Sequence, residues 1–144
     1  IVIATDHNGV EEKKEIIKML ESNYNVIDMS QNNTDTDDYP DYAFKVAEYV
    51  RDNENTLGIL LCGTGIGMSI AANKVNRIRC AHVSNLNEAA KAKEHNNANI
   101  IAMSYKNDIK DIIEFVKTFI ETPFANEERH VRRNKMIMDY EKEN

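Results

Sequence analysis

Leu57-Gly58-Ile59-Leu60-Leu61-Cys62-Gly63-Thr64-Gly65-Ile66-Gly67-Met68-Ser69 is the stretch on which the reading of the fold turns. Leu57 to Leu61 is short, apolar and without polar alternation, as expected of a strand covered on both faces of a parallel sheet. A thiol follows at once, then glycine at every second position, then Ser69-Ile70-Ala71-Ala72-Asn73-Lys74, which can be helical. Strand, glycine loop and helix together aim free backbone N–H groups at an anion. Cys62, at the strand's carboxyl end beside those donors, is well placed for chemistry. The plainer reading is a tight strand-to-helix turn with a buried cysteine at its edge. On this stretch alone both stand, because a bare Gly-x-Gly-x-Gly is weak evidence.

The same alternation extends in both directions. Upstream, Ile1-Val2-Ile3-Ala4 is a β-prone run that ends in Thr5-Asp6-His7-Asn8-Gly9, and a helical pattern begins at Val10 with Ile16, Ile17 and Leu20 on one side. Asn25 to Met29 predicts a second strand. The polar stretch Ser30 to Asp38 predicts a surface loop that Pro40 closes. Asp41 is placed to cap a helix with Ala43, Val46, Ala47 and Val50 on its apolar face. Downstream, Arg79 to Val83 predicts a fourth strand, Asn85 opens a helix running to about His95, and Ile100 to Met103 predicts a fifth strand. Asp108 starts a helix with Ile109, Ile112, Ile113, Val116 and Ile120 inward, broken at Thr122-Pro123. A last, charge-dense helix begins near Asn126. Such alternation predicts a doubly wound, three-layer α/β/α sandwich, Rossmann-like, around a mostly parallel five-stranded sheet. Ligands bind such sheets at the carboxyl ends of the strands. That rim carries Asp6-His7, the Cys62 loop, the segment after His82 and the Met103–Lys106 loop.

At 144 residues and 42% hydrophobic, the chain reads as one domain over 1–144 with a real core. Its net charge of −6 argues against a nucleic-acid or anionic-membrane partner, though not against a small anionic ligand at a local basic cluster. No apolar run approaches the ~20 residues of a membrane-spanning helix, and no signal-peptide pattern is visible. The sequence opens inside an apolar run without methionine, so a few preceding residues are expected. Cys62 and Cys80, the two cysteines, form neither a disulfide framework nor a metal-ligand spacing. Free thiols without an export signal point to a reducing, cytoplasmic setting.

Several side chains on this frame can do chemistry. A thiol beside a cation or a helix N-terminus acts as base or nucleophile. The flanking glycines favour the base, because their N–H groups can hold an oxyanion. Cys80, inside an apolar strand, reads as core. Asp6-His7 can bind hydroxyls and an anion, or cap the next helix. Arg129 and Arg133, four residues apart, share a helix face and can grip one phosphate, with Lys106 a further cation. Glu127 and Glu128 could instead neutralise these arginines. His95-Asn96 ends a polar helix, and His82 and His130 read as structural or solvent-facing.

Taken together, Thr5-Asp6-His7, Asp38-Tyr39-Pro40, Cys62 to Lys74, His95-Asn96-Asn97-Ala98-Asn99 and Glu128-Arg129-His130-Val131-Arg132-Arg133 resemble the type B ribose-5-phosphate isomerase family. That family includes the galactose-6-phosphate isomerase subunits, and the resemblance covers essentially the whole chain. It implies aldose–ketose isomerisation of a sugar phosphate through an enediolate, without metal or organic cofactor. By resemblance, Cys62 is the base, Thr64 helps move protons between the oxygens, and Gly63, Gly65, Ile66 and Gly67 form the anion hole. His95 opens the sugar ring, Asn96 holds a substrate oxygen, and Asp6 binds the ring or its hydroxyls. His7, Arg129 and Arg133 hold the phosphate, and Tyr39 lines the pocket. The family's homodimer shares its active sites between chains, and a tetramer stays open. Lys106 stands where many members carry arginine, which keeps the charge and loses the two-pronged geometry. Ribose 5-phosphate is the expected substrate. A six-carbon phosphate such as galactose or allose 6-phosphate and a non-catalytic phosphosugar-binding domain are the alternatives.

Overall fold

Five short runs rich in Ile, Leu, Val and Ala make the sheet: β1 Val2–Thr5, β2 Ile27–Asp28, β3 Gly58–Cys62, β4 Cys80–His82 and β5 Ile100–Ser104. In the computed structural model, which describes residues 1–143, every strand pairing is parallel and the order is β2-β1-β3-β5-β4. The helices are α1 Val10–Leu20, α2 Tyr39–Asp52, α3 Ile66–Ala72, α4 Leu86–Glu94, α5 Ile109–Glu121 and α6 Glu128–Glu143. The expected three-layer sandwich is present.

The two faces of the sheet explain the unbroken apolar runs. Leu60 and Cys62 of β3 turn to one side, where Ala43, Val46 and Ala47 of α2 and Met68, Ala71 and Ala72 of α3 cover them. Ile59 and Leu61 turn to the other, against Ile16 of α1, Ala89 of α4 and Ile112, Val116 and Phe119 of α5. With both faces covered no strand position needs to be polar. Each fully buried Leu or Ile contributes about 1.5–3 kcal/mol through surface removed from water.

The structure adjusts several expected boundaries. The second strand is reduced to Ile27–Asp28 and the fourth to Cys80–His82. Helix α2 starts at Tyr39 after the extended Asp38, not at Asp41. Pro40 therefore lies within its first turn, where a missing N–H costs nothing. Helix α3 begins at Ile66, three residues before Ser69, because Gly65 with φ of 84° turns the chain directly into it. On α5 the inward positions are Ile112, Phe115, Val116 and Phe119. Ile109 is exposed, and Ile113 and Ile120 are only partly buried, so the expected face was turned by one side-chain row. The last helix begins at Glu128 instead of near Asn126. Residue 144, the end of the expected domain, lies outside the described residues.

This topology positions the site. From β1 the chain winds outward to β2 on one side and to β3, β5 and β4 on the other. The winding reverses between β1 and β3, and at such a point the carboxyl ends of neighbouring strands part to leave a crevice. Thr5 pairs with Leu61 in register, so Asp6-His7 and Cys62-Gly63 leave the sheet side by side at this crevice.

Candidate active site

Cys62 is the last residue of β3, buried, and its Sγ accepts a hydrogen bond from the Gly65 N–H at 3.1 Å. A donor aimed at sulfur stabilises the negative charge that a thiolate carries. The loop that supplies this donor is tightly held. Gly65 adopts φ of 84°, and a Cβ there would lie 2.7 Å from the Met103 Cα, so glycine is required twice over. The Thr64 carbonyl meets His82 Nε2 at 2.8 Å. A carbonyl only accepts, so that ring nitrogen carries the proton. Ser104 Oγ donates to the Gly63 carbonyl at 2.7 Å. Two of the loop's N–H groups are engaged within it, that of Gly65 to Cys62 and that of Ile66 to Thr64 Oγ1 at 3.1 Å.

Around this loop gather the other residues of the carboxyl rim. Tyr39, the first residue of α2, is partly exposed and packs so closely over Gly67 that a Cβ there would lie 2.5 Å from its ring. Asp6 Oδ1 accepts from the Asn8 N–H at 3.0 Å, closing a turn; the cap position of α1 is Gly9, so Asp6 does not cap that helix. The Tyr105 N–H donates to the Cys62 carbonyl, and burial, followed by the charge of Asp6, pushes its phenol above the ordinary tyrosine value. Lys106 is exposed at the end of this β5 loop, its N–H held by Ser104 Oγ.

His7 is fixed from the polar loop before α2. Asp37 Oδ1 lies 2.7 Å from His7 Nδ1 and also accepts the His7 N–H at 3.2 Å. Asp37 Oδ2 accepts from Asn33 Nδ2 and Tyr42 Oη, both at 2.9 Å, and from the Thr34 N–H at 3.3 Å. Burial works against a charged Asp37, yet the donors of Asn33, His7 and Tyr42 outweigh it and hold the carboxyl well below the usual carboxylate range. The hydrogen bond to Asp37, with the charges of Asp37, Asp6 and Asp35, raises the His7 imidazole above its ordinary value despite its own desolvation.

The remaining expected residues lie at the other end of the molecule. Helix α4 runs back from the carboxyl rim, so His95-Asn96 reach the amino ends of the strands. There the Asn99 carbonyl accepts from the first residue of β3, Gly58, and Arg79 binds the carbonyls of Asn96 and Asn97. The rings of His95 and His130 stack with centroids 4.2 Å apart, and Asn134 donates to the His95 carbonyl. Burial, then the neighbouring His95 and Arg129, lower the His130 imidazole below its ordinary value. Arg129 meets Glu127 at 3.3 Å and Arg132 meets Glu128 at 2.6 Å, whereas Arg133 is exposed and has no ion pair among the described residues. The length of β3, about 13 Å for four residue steps, separates this cluster from Cys62. One chain does not bring His95, Asn96, Arg129 and Arg133 to the thiol.

A ribose/galactose isomerase family model matches residues 1–137. The chain belongs to that family. A curated relative from Mycoplasma pneumoniae, named "probable ribose-5-phosphate isomerase B", is 42% identical over 146 residues, covering 99% of this chain and 95% of its own. The fold matches ribose-5-phosphate isomerase B of Mycoplasma genitalium, solved with bound ribulose 5-phosphate, at a TM-score of 0.94 and 41% identity, over 99% of this chain and 96% of that one. The Clostridium thermocellum ribose-5-phosphate isomerase B matches at a TM-score of 0.92 and 40% identity, over 99% and 97% of the two chains.

For this member of the family, the sequence pattern had not singled out Asp37, Asn33, His82, Ser104 and Tyr105 as parts of the site. Asp37 and Asn33 lie in a stretch with no periodicity, and their partner His7 is 30 residues from Asp37. His82 and Tyr105 were findable in principle, since His82 ends β4 and Tyr105 follows β5 on the carboxyl rim. Cys80 is core, as expected, and burial pushes its thiol up to about 12. Among the described residues no group of acidic, His and Cys side chains is arranged to hold a metal ion.

Proposed function

We propose that the chain interconverts ribose 5-phosphate and ribulose 5-phosphate, with Cys62 as the base that moves a proton between carbons 1 and 2. A C–H beside a carbonyl is a weak acid, so the oxygen of the forming enediolate has to be stabilised as its charge appears. Rigid donors in a closed crevice do this without reorganising. The clamped loop supports that role through the N–H groups of Gly63 and Gly67, since those of Gly65 and Ile66 are engaged on Cys62 Sγ and Thr64 Oγ1, and Thr64 Oγ1 is at hand to pass a proton between the two oxygens. Asp6 binds sugar hydroxyls and Tyr39 lines the crevice. His7 takes the phosphate, together with Arg129 and Arg133, and Lys106 adds positive charge at the same rim. His95 opens the furanose ring, and Asn96 holds a substrate oxygen. Gripping the remote phosphate positions the reacting carbons.

The separation of the two clusters supports a site built by two copies of the chain, one giving the Cys62 rim and the other giving His95, Asn96, Arg129 and Arg133. Ile66 and Ile70 of α3 stand 51% and 60% exposed beside the thiol loop, and Met136 and Ile137 of α6 stand 63% and 53% exposed. Apolar side chains left open at both ends of the site suit an isologous dimer. A cleft of about 740 Å³ lined by Asn73, Lys74, Ala81, Asn96, Ile137 and others lies beside α6.

The observation that carries the reading is the full-length match to a relative holding ribulose 5-phosphate, with Cys62 at the switch-point crevice of this chain. Ultraviolet-monitored ketose formation from ribose 5-phosphate tests it, with galactose 6-phosphate as the rival substrate, since the family's description covers both sugars. Faster turnover of the hexose phosphate would transfer the assignment to the six-carbon reaction.

A further inference from the structure

The polar loop from Ser30 to Asp38 has no core to fill, yet one of its side chains is among the most heavily hydrogen-bonded in the molecule. Asp37 takes five donors: the N–H and Nδ1 of His7 on Oδ1, and Asn33, Thr34 and Tyr42 on Oδ2. Its side chain is 8% exposed while that of His7 is 31% exposed. Asn33 in turn donates to the Thr5 carbonyl at 2.9 Å, tying the loop to the end of β1 just before Asp6-His7. The loop thus grips the strand end from which the phosphate-binding histidine projects.

We propose that Asp37 is a positioning residue for the sugar-phosphate site, holding the His7 ring by Nδ1 so that Nε2 is the atom offered to the phosphate. This rests on the isomerase reading given above. An ionised carboxylate is acceptor-only, so Nδ1 must carry a proton. The second ring nitrogen lies across the ring from Asp37 and has no hydrogen-bond partner among the described residues. Asp37, Asp6 and Asp35 are the charged groups that act on the ring, and all three favour its cationic form. A cationic donor to a phosphate oxygen is roughly twice as strong as a neutral one. Asp37 itself never touches the substrate; it keeps the ring protonated on both nitrogens, so that Nε2 can donate, and sets the angle of the group that does.

The amide variant sharpens the consequence. Oδ2 takes three donors and Oδ1 takes two, so in Asp37→Asn the remaining oxygen favours the Asn33-Thr34-Tyr42 side. The amide NH₂ then faces His7, donates to Nδ1 and leaves the ring neutral, with a proton on Nε2 but without the charge that strengthens its bond to a phosphate oxygen. This reversal of donor and acceptor is what a merely structural aspartate would not produce.

Two-bond ¹⁵N–¹H correlation spectra of the His7 ring, assigned by their loss in His7→Ala, read its protonation directly in the unaltered protein. With inorganic phosphate bound, a cationic ring protonated on both nitrogens is expected, and a ring lacking either proton would overturn the proposal. In Asp37→Asn, KM for ribose 5-phosphate should rise about tenfold, the order of one charge-assisted hydrogen bond, with kcat held within about threefold. In the His7→Ala background the same substitution should change KM by less than about twofold, because coupled residues are not additive. An undiminished KM effect there, or no effect in the single variant, would also overturn it. If the protein fails to isomerise ribose 5-phosphate, the function reading falls by itself. Binding of inorganic phosphate, followed on the His7 ring, then replaces KM and judges Asp37 by the same two criteria.

Discussion

Cys62 is buried at the end of a strand, packed in the core cluster, and its sulfur also accepts the Gly65 N–H, the contact that supports its proposed role as base. Removing the thiol should therefore cost turnover more than binding. In Cys62→Ala, kcat should fall by roughly 10²–10⁴-fold, the usual contribution of a general base, with KM for ribose 5-phosphate changed only a few-fold. Steady-state rates of ketose formation check this, and near-normal kcat would remove Cys62 from the reaction. At His7 and Asp37 the expectation concerns pH. The lowered Asp37 carboxyl contributes stability that is fully present above about 3.9 and is lost as the pH falls through its folded value. The raised His7 imidazole contributes stability that is fully present below about 6.5 and is lost as the pH rises through its folded value. The loss of stability in His7→Ala should accordingly be larger near about pH 5 than near about pH 9, as read from urea midpoints. Equal losses at both would contradict the charged pair. The placement of Cys62 and Asp6 side by side on the carboxyl rim was legible in the sequence because each stands at or just past the end of a strand-forming run, where a parallel sheet puts its ligands. Asp37 was not legible, because its role exists only through a contact with His7 across 30 residues of chain.

Among the elements, strands were read well because burial on both faces leaves an unmistakable apolar run, as in Gly58–Cys62. Helix faces were read less well. On α5 the isoleucines at 109, 113 and 120 look as inward as those that pack, and Phe115 and Phe119 decide the orientation by filling the space beside α1 and α4. Phe119→Ala should lower unfolding free energy by about 3–5 kcal/mol through the cavity it leaves, whereas Ile109→Ala, at 37% exposure, should stay within about 0.5 kcal/mol. Denaturant unfolding of the two variants measures the difference, and a reversed order would mean that α5 presents the other face. The start of α3 was hidden for a different reason. Glycine is a poor helix former, so Gly67 looked like loop, while in the fold it lets Tyr39 pack directly over the first turn of α3. The thiol loop is clamped by elements distant in sequence, His82 at the end of β4 and Ser104 at the end of β5.

For the whole molecule, the alternation of strands and helices made the sandwich legible, and the switch point between β1 and β3 located the crevice. The family resemblance implied a site shared between chains, but which expected site residues lie at which end of the sheet was not legible, because it depends on α4 carrying His95 back to the amino rim and on α6 docking there through His130 and Asn134. The proposed isomerase site needs a second copy of the chain to complete it. Co-expression of Cys62→Ala chains with His95→Ala chains tests it most directly, with ketose formation from ribose 5-phosphate as the readout. Each variant alone should be nearly inactive. Mixed dimers carry one site with both substitutions and one with neither, so random pairing should restore roughly a quarter of the unaltered rate. No recovery in verified mixed dimers, beside full activity of the unaltered protein, would contradict the shared site.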